Sequence, residues 1–273
     1  MKLRFTKMNG LGNDFVVAEW PRGVPLPSPE RIRAWADRRR GIGFDQLLLL
    51  EPETPPDAAA SYRIYNADGG EVEQCGNGVR CLASFLAPSV GGQMTLASPA
   101  GMIAARVDAQ GSVSVDLGGP RFSPESLPFA ASEERDRYRL TLPHGAVEFG
   151  AVSMGNPHIV IDVDSVDSAP VGILGQELAT HPAFPNGVNV GFMQRENRER
   201  IKLRVFERGV GETLACGTGA AAAVAVGRRW GELESTVEVE LPGGALTVSW
   251  QGPGSSLWQT GPATPVYEGE IEI

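Results

Sequence analysis

The chain has 273 residues but only three cysteines and three histidines. Three cysteines cannot form a disulfide framework in a chain of this length, and an odd number points to free thiols in a reducing compartment. Cys75 and Cys81 are not spaced C-x-x-C. His144, His158 and His181 make neither an i, i+4 pair nor an H-E-x-x-H run, so no metal site is expected.

Basic residues are also scarce. Lys and Arg total 24 against 33 Asp and Glu, a net charge of −9, which argues against a nucleic-acid surface. The runs "RRR" at Arg38 and "RENRER" at Arg195 are read as solvated helix ends or loops. No long apolar run is present: "GAAAAVAVG" from Gly219 is far short of the ~20 residues that span a bilayer. The start, "MKLRFTKMNG", has no apolar stretch of secretory-signal type. The expectation is a cytoplasmic protein that does not enter membranes. Nucleotide fingerprints are missing too, since "GLGND" lacks a third glycine and no G-x-x-x-x-G-K-[ST] occurs.

What is present is a repeat. The segments "GEVEQCGNG" and "GETLACGTG" align with Cys75 and Cys216 in the same place, 141 residues apart. Upstream, "YNADGGE" from Tyr65 faces "FERGVGE" from Phe206, pairing Asn66 with Glu207. "LGNDFVV" from Leu11 faces "MGNPHIV" from Met154, pairing Asn13 with Asn156 and Phe15 with His158. "GFDQLLL" from Gly43 lies opposite "GVNVGF" from Gly187, pairing Gln46 with Asn189. Four matches in order at a near-constant offset imply two homologous units. The length and an ordinary 42% hydrophobic content suit two domains, each with its own core.

Local signals fill in the elements. Ser28 caps a helix whose first residue is Pro29 and whose apolar face is Ile32, Trp35 and Ala36, ending near Gly41. Its partner in the second half runs from Val171 to the residue before Pro182. A helix after Gly76 keeps apolar spacing until Pro88 stops it. The matching "GAAAAVAVGRR" is apolar on all sides and reads as a helix buried at the centre of its domain. "VSVDLGG" and "TVEVELPGG" alternate as half-buried antiparallel strands do. The halves join near "GGPRFSPESLPFAASEERD", and the closing "PATPVYEGEIEI" extends past the second repeat, so the last strand is expected to return to the first domain. The expected boundaries are 1–117 plus 263–273 for the domain with Cys75, and 118–262 for the domain with Cys216.

Each cysteine precedes a glycine-rich turn that opens a helix. Unsatisfied N–H groups there can hold a carboxylate and lower a thiol's pKa, and Gly76, Gly78, Gly217 and Gly219 allow a ligand close to the backbone. If the halves face one another, two thiols flank one bound molecule, which suits inversion of a stereocentre by proton removal on one face and delivery on the other.

The chain resembles the diaminopimelate epimerase family of cofactor-independent amino-acid epimerases. "KMNGLGNDFVV", "GIGFDQLL", "YRIYNADGGEVEQCGNGVRC", "VSMGNPH", "VNVGFM", "ERGVGETLACGTGAAAA", "VELPGG" and "TGPA" carry the resemblance along nearly its whole length. The resemblance implies an α/β (α+β) fold of two pseudo-symmetric domains, each a largely antiparallel sheet wrapped around a central helix, with the active site in the cleft between them. It implies interconversion of LL- and meso-2,6-diaminopimelate without pyridoxal phosphate or other cofactor, on the route to lysine and peptidoglycan precursors. Cys75 and Cys216 stand at the catalytic places. Gly76, Asn77, Gly217 and Thr218 would hold the α-carboxylate, while Asn13, Gln46, Asn66, Asn156, Asn189, Glu207 and Arg208 would read the rest of the substrate. His158 and Glu207 match residues that adjust the thiols' proton affinity. A homodimer is implied, with Tyr267 at its contact.

From the residues alone, other readings stay open. Cys81, six positions past Cys75 and about 240° round the helix, is read as packing. Asn13 and Asn156 follow glycine as turn residues do, His158 reads as a structural residue, and Glu207–Arg208 as a surface pair. A racemase of another amino acid with the same two thiols is one alternative function. A non-catalytic redox or binding module is another.

Overall fold

In a computed structural model the described residues are 1–72, 75–143 and 145–273; His144 lies outside them. The chain divides into two units, Met1–Asp116 with Thr260–Ile273, and Leu117–Gln259.

The first unit contains β1 (Lys2–Gly10), β2 (Asn13–Glu19), α1 (Pro29–Ala36), β3 (Gln46–Leu50), β4 (Ala60–Asn66), β5 (Glu71–Val72), α2 (Gly76–Val90), β6 (Gln93–Ser98), β7 (Gly101–Val107) and β8 (Val113–Asp116). Strands β1 and β2 pair antiparallel, β2 and β3 parallel, β3 and β4 antiparallel, β4 and β6 parallel, then β6, β7 and β8 antiparallel in turn.

The second unit contains β9 (Tyr138–Leu142), β10 (Gly145–Ser153), β11 (Pro157–Asp162), α3 (Val171–Ala179), β12 (Asn189–Arg195), β13 (Arg200–Glu207), β14 (Gly211–Thr213), α4 (Gly217–Arg229), β15 (Thr236–Leu241) and β16 (Gly244–Trp250). Its pairing follows the same rule: β10 with β11 antiparallel, β11 with β12 parallel, β12 with β13 antiparallel, β13 with β15 parallel, β15 with β16 antiparallel. Strand β17 (Leu257–Gly261) holds the second boundary, and β18 (Thr264–Glu272) pairs antiparallel with β1.

A parallel pair needs a crossover, and in each case a helix supplies it: α1 between β2 and β3, α2 between β4 and β6, α3 between β11 and β12, α4 between β13 and β15. That is why "TVEVEL", alternating as an antiparallel strand would, is antiparallel to β16 yet parallel to β13.

Each sheet is covered on both faces, which explains continuous apolar runs such as Leu47–Leu50. On one face of the first unit Leu47, Leu49, Val16, Ala18 and Tyr65 pack with Ile32 and Trp35 of α1. On the other, α2 packs against β1, β2, β3, β6, β7, β8 and β18. In the second unit Ile159, Ile161, Val190 and Phe192 pack with Val171 and Leu178 of α3, and α4 packs against β10, β11, β12, β13 and β16. Ala220 to Ala225 of α4 are fully buried, and their small side chains let strands approach from several sides. At Gly150 an added Cβ would lie 2.4 Å from Val226 Cγ1.

Three helix ends differ from the sequence reading, and α3 stops at Ala179, two residues before His181. Helix α1 has the Ser28 cap, whose Oγ accepts from Arg31 N at 3.4 Å, but it stops at Ala36 rather than near Gly41. The Asp37 carboxylate takes the N–H groups of Arg39 and Arg40 at 2.8 and 3.0 Å and so diverts the chain. Helix α2 runs through Pro88 to Val90. In the last turn the missing N–H costs a single i to i−4 bond, and Gly91 N closes the helix on the Ala87 carbonyl at 3.0 Å. No helix among the described residues is long and apolar enough to cross a membrane.

Candidate active site

Strand alternation decides which side chains meet the central helix. In the first unit Asn13, Gln46 and Asn66 lie on the α2 face, because Val16, Leu47 and Tyr65, each an odd number of residues away along its strand, belong to the α1 side. The register aligns them: Gly10 opposite Asn13, Phe15 opposite Gln46, Gln46 opposite Asn66. Three polar side chains therefore end three strands on one face. Gln46 Nε2 donates to Asn66 Oδ1 at 2.8 Å, and Gln46 Oε1 is buried without a hydrogen-bond partner among the described residues, an acceptor suited to an ammonium.

Asn13 follows a hairpin turn in which Leu11 and Gly12 have φ of 60° and 85°. Its Nδ2 donates to Asp45 Oδ2 at 2.8 Å. Behind it Lys7 Nζ lies 2.6 Å from Asp14 Oδ2, and Arg38 donates to both Asp14 oxygens at 2.8 and 2.7 Å and to Asp45 Oδ1 at 2.7 Å. Burial pushes the Asp14 carboxyl up, but the Arg38 and Lys7 partners outweigh it and hold it well below the usual carboxylate range.

Cys75 is the N-cap of α2, half-buried and extended at φ −147° and ψ 109°. Gly76, Asn77 and Gly78 make the first turn, where backbone N–H groups have no intrahelical acceptor. A Cβ on Gly78 would meet Leu48 at 3.1 Å and Phe15 at 3.3 Å, so glycine lets the turn settle on the sheet.

The second unit builds the same frame from different side chains. Cys216 is the N-cap of α4 at φ −119° and ψ 109°. His158 stands opposite Asn189, and Glu207 ends β13 next to the Phe206–Val190 pair. Thr218 is the hub: its Oγ1 is 3.7 Å from Cys216 Sγ, 3.1 Å from His158 Nε2, and accepts from Asn156 Nδ2 at 3.3 Å. His158 Nε2 is also 2.9 Å from Asn156 Oδ1 and 3.5 Å from Asn189 Nδ2. Burial, with the nearby Arg208 cation, brings the His158 pKa down to about 3, so the ring is neutral at physiological pH.

Cys216 is only 5% exposed. Burial pushes its thiol well above the ordinary thiol value, the Glu207 carboxylate pushes the same way, and hydrogen bonds from Gly219 N–H and Thr218 only partly oppose this. At Cys216 burial and the neighbouring Glu207 carboxylate thus raise the thiol despite its place at a helix N-terminus. Glu207 is held by Thr213, whose Oγ1 donates to Oε1 at 2.5 Å. Arg208 N donates to Asn189 Oδ1 at 2.9 Å, and its guanidinium donates to the Asn186 carbonyl at 2.5 Å.

In each unit the expected residues gather at one end of the sheet around the start of the central helix. Tyr267 stands apart, 46% exposed on β18 and edge-on to Phe5 at 6.0 Å. Cys81 is fully buried in α2, and burial raises its thiol to about 12. Among the described residues, no group of three or more His, Cys, Asp or Glu is arranged to hold a metal ion. Sequence reasoning missed Arg80, Asp45, Thr213 and Gln259. The buried Gln259 donates from Nε2 to the Gly217 carbonyl at 2.7 Å. Of these, Arg80 alone carried a signal, as a lone charge within the apolar run of α2.

A family model described as diaminopimelate epimerase matches residues 5–123 and 150–266. The diaminopimelate epimerase of Halorhodospira halophila is 53% identical over 274 residues, covering 99% of this chain and 96% of that one. The enzyme of the same name from Pseudomonas aeruginosa is 49% identical over 276 residues, covering all of both. Among solved structures, a hydroxyproline epimerase from Agrobacterium vitis superposes with a TM-score of 0.70 at 18% identity, covering 99% of this chain and 92% of that one. A phenazine biosynthesis protein of the PhzF family from Bacillus anthracis superposes with a TM-score of 0.68 at 17% identity and full coverage of both. At such identities these two share the fold.

Proposed function

The chain belongs to the diaminopimelate epimerase family, and from that premise we propose that it interconverts LL- and meso-2,6-diaminopimelate by moving the α-proton between Cys75 and Cys216. The observation that carries this reading is the duplicated one: each unit has a cysteine as N-cap of its buried central helix, with glycine at the next position.

One cysteine, as thiolate, takes the α-proton. The electron pair left on the α-carbon delocalises into the α-carboxylate, where N–H groups of Gly76, Asn77, Gly217 and Thr218 offset the added charge. The other cysteine, as thiol, gives its proton to the opposite face. The two sulfurs end with exchanged protonation states and are reset through solvent. The mechanism requires both sulfurs to reach one carbon from opposite sides, and needs no carbonyl cofactor to hold the carbanion. Asn13, Gln46, Asn66, Asn156, Asn189, Glu207 and Arg208 serve the amino and carboxylate groups; Arg208 suits the distal carboxylate because a guanidinium binds carboxylate through two N–H groups. Neutral His158 and the Glu207 side chain tune Cys216. The product feeds lysine and peptidoglycan precursor synthesis in the cytoplasm, and the working form is a homodimer contacting through Tyr267.

The test is α-proton exchange in deuterated buffer with each diaminopimelate stereoisomer and with proline. Deuterium is expected at the α-carbon of LL- and meso-diaminopimelate, falling by at least about 10³-fold in Cys75→Ala and Cys216→Ala. Normal turnover in either variant would sink the mechanism, and faster exchange with proline would sink the substrate.

A further inference from the structure

Asp45 is the residue before β3, and both of its carboxylate oxygens are engaged. Oδ2 accepts from Asn13 Nδ2 at 2.8 Å and from Asp14 N at 3.0 Å, while Oδ1 accepts from Arg38 Nη2 at 2.7 Å. Asp45 N in turn donates to Asp14 Oδ1 at 2.9 Å, and Asp14 is held by Arg38 and Lys7. Asp45 is thus fixed from behind before it meets Asn13. The second unit does without this brace. The place matching Asp45 is taken by the buried Val188, and Asn156, the counterpart of Asn13, has its amide held by Thr218 and His158 instead. The fold alone therefore does not require a carboxylate there.

A primary amide has two ends of similar shape and opposite hydrogen-bond sense, and a half-turn about its last bond exchanges them. A carboxylate bonded to a guanidinium only accepts, so the end of Asn13 that meets Asp45 is its NH2. The carbonyl oxygen, Oδ1, is thereby left to a ligand. Asn13 stands opposite Gly10, and a Cβ on Gly10 would lie 3.6 Å from the Asn77 carbonyl oxygen, which sets this strand end against the first turn of α2. Gln46 Oε1, buried without a partner among the described residues, is a second acceptor on the same face. Gln46 pairs with Phe15, two residues along from Asn13, so the two α-carbons are roughly 8 Å apart. Two carbonyl oxygens so placed suit an ammonium, which only donates.

We propose that Asp45 is a positioning residue for substrate recognition: braced by Arg38, it holds Asn13 by its NH2 group so that the amide presents its carbonyl oxygen, alongside that of Gln46, to an ammonium group of the substrate. This rests on the reading above, in which Asn13 serves the substrate, and adds which group Asn13 takes and what fixes its orientation. A wrongly turned amide would point N–H groups at the ammonium, so the brace selects for amino groups without placing a charge in the site.

Steady-state kinetics with LL-diaminopimelate in Asp45→Asn, and in the exchanged pair Asn13→Asp with Asp45→Asn, test it. In Asp45→Asn the guanidinium keeps the new amide's oxygen, since bonds to charged groups are the stronger. Its NH2 then faces Asn13, which turns over and shows N–H to the substrate. KM is expected to rise about tenfold, with kcat within about threefold of wild type. The exchanged pair restores both contacts: the residue at 13 accepts from the amide at 45 and again offers oxygen to the ammonium. Its KM should return to within about threefold of wild type. An unchanged KM in Asp45→Asn, a loss in kcat with KM unmoved, or an exchanged pair no better than the single variant would each overturn the proposal. Absence of α-proton exchange in wild type would instead overturn the activity, and titration calorimetry of the same variants with meso-diaminopimelate then follows the amide's orientation without turnover.

Discussion

The Thr213 hydroxyl donates a 2.5 Å hydrogen bond to Glu207 Oε1, so the carboxylate that raises the Cys216 thiol is held from behind by β14. Removing the carboxylate charge should let the thiol ionise more easily. In Glu207→Gln the pH midpoint for Cys216 alkylation is expected to move down, and kcat to fall at least about tenfold. An unchanged Cys216 midpoint would remove Glu207 from the proton chemistry.

His158 is neutral in the folded protein, with a pKa near 3 against an ordinary 6.5. The unfolded chain binds the proton first, so stability is present above about pH 6.5 and is lost as pH falls toward 3. Between about pH 7.5 and 5 the loss from this group is ~2 kcal/mol. Thermal melts of His158→Gln should show a smaller drop in Tm over that interval than wild type; an equal drop would place the acid sensitivity elsewhere.

Asp14 and Lys7 form an ion pair with side chains only 17% and 9% exposed. Asp14→Asn leaves the lysine without its counter-charge, and denaturant unfolding at neutral pH is expected to lose about 3–5 kcal/mol. Because the Asp14 carboxyl is held low, its contribution is complete above the unfolded value near ~4 and disappears as pH falls below it. The gap between variant and wild type should therefore close in acid.

Gly150→Ala places a methyl 2.4 Å from Val226 Cγ1 and 3.0 Å from Trp230 Cζ2. A packed helix has little room to retreat, and a loss of about 1–3 kcal/mol is expected by urea denaturation. Gly172→Ala in α3, where nothing lies within 4 Å of the new methyl, should be neutral or slightly stabilising.

Much of the frame was legible because it rests on short-range chemistry. The Ser28–Pro29 start of α1 and the glycine-rich starts of α2 and α4 are visible in adjacent residues. The order of chemistry-bearing residues in the two halves was visible as a repeat, and the pairing of Phe15 with Gln46 and of His158 with Asn189 gives that repeat a physical form. Less legible were features that depend on what stands across the fold. Pro88 inside α2 depends on how few bonds remain to be lost at that end of the helix, and the early stop of α1 depends on where the Asp37 carboxylate turns.

By itself, the sequence determined the family, the two repeated units, and the two cysteines set before glycine-rich helix starts, since these follow from residue identity and local backbone preference. Only the tertiary structure decided the charge around Cys216. Cys216 looks like a helix-end thiol of lowered pKa until burial and Glu207 are counted. The physical reason is that proton affinity depends on desolvation and on charges only a few ångströms away, and the fold sets both by bringing together residues distant in the chain.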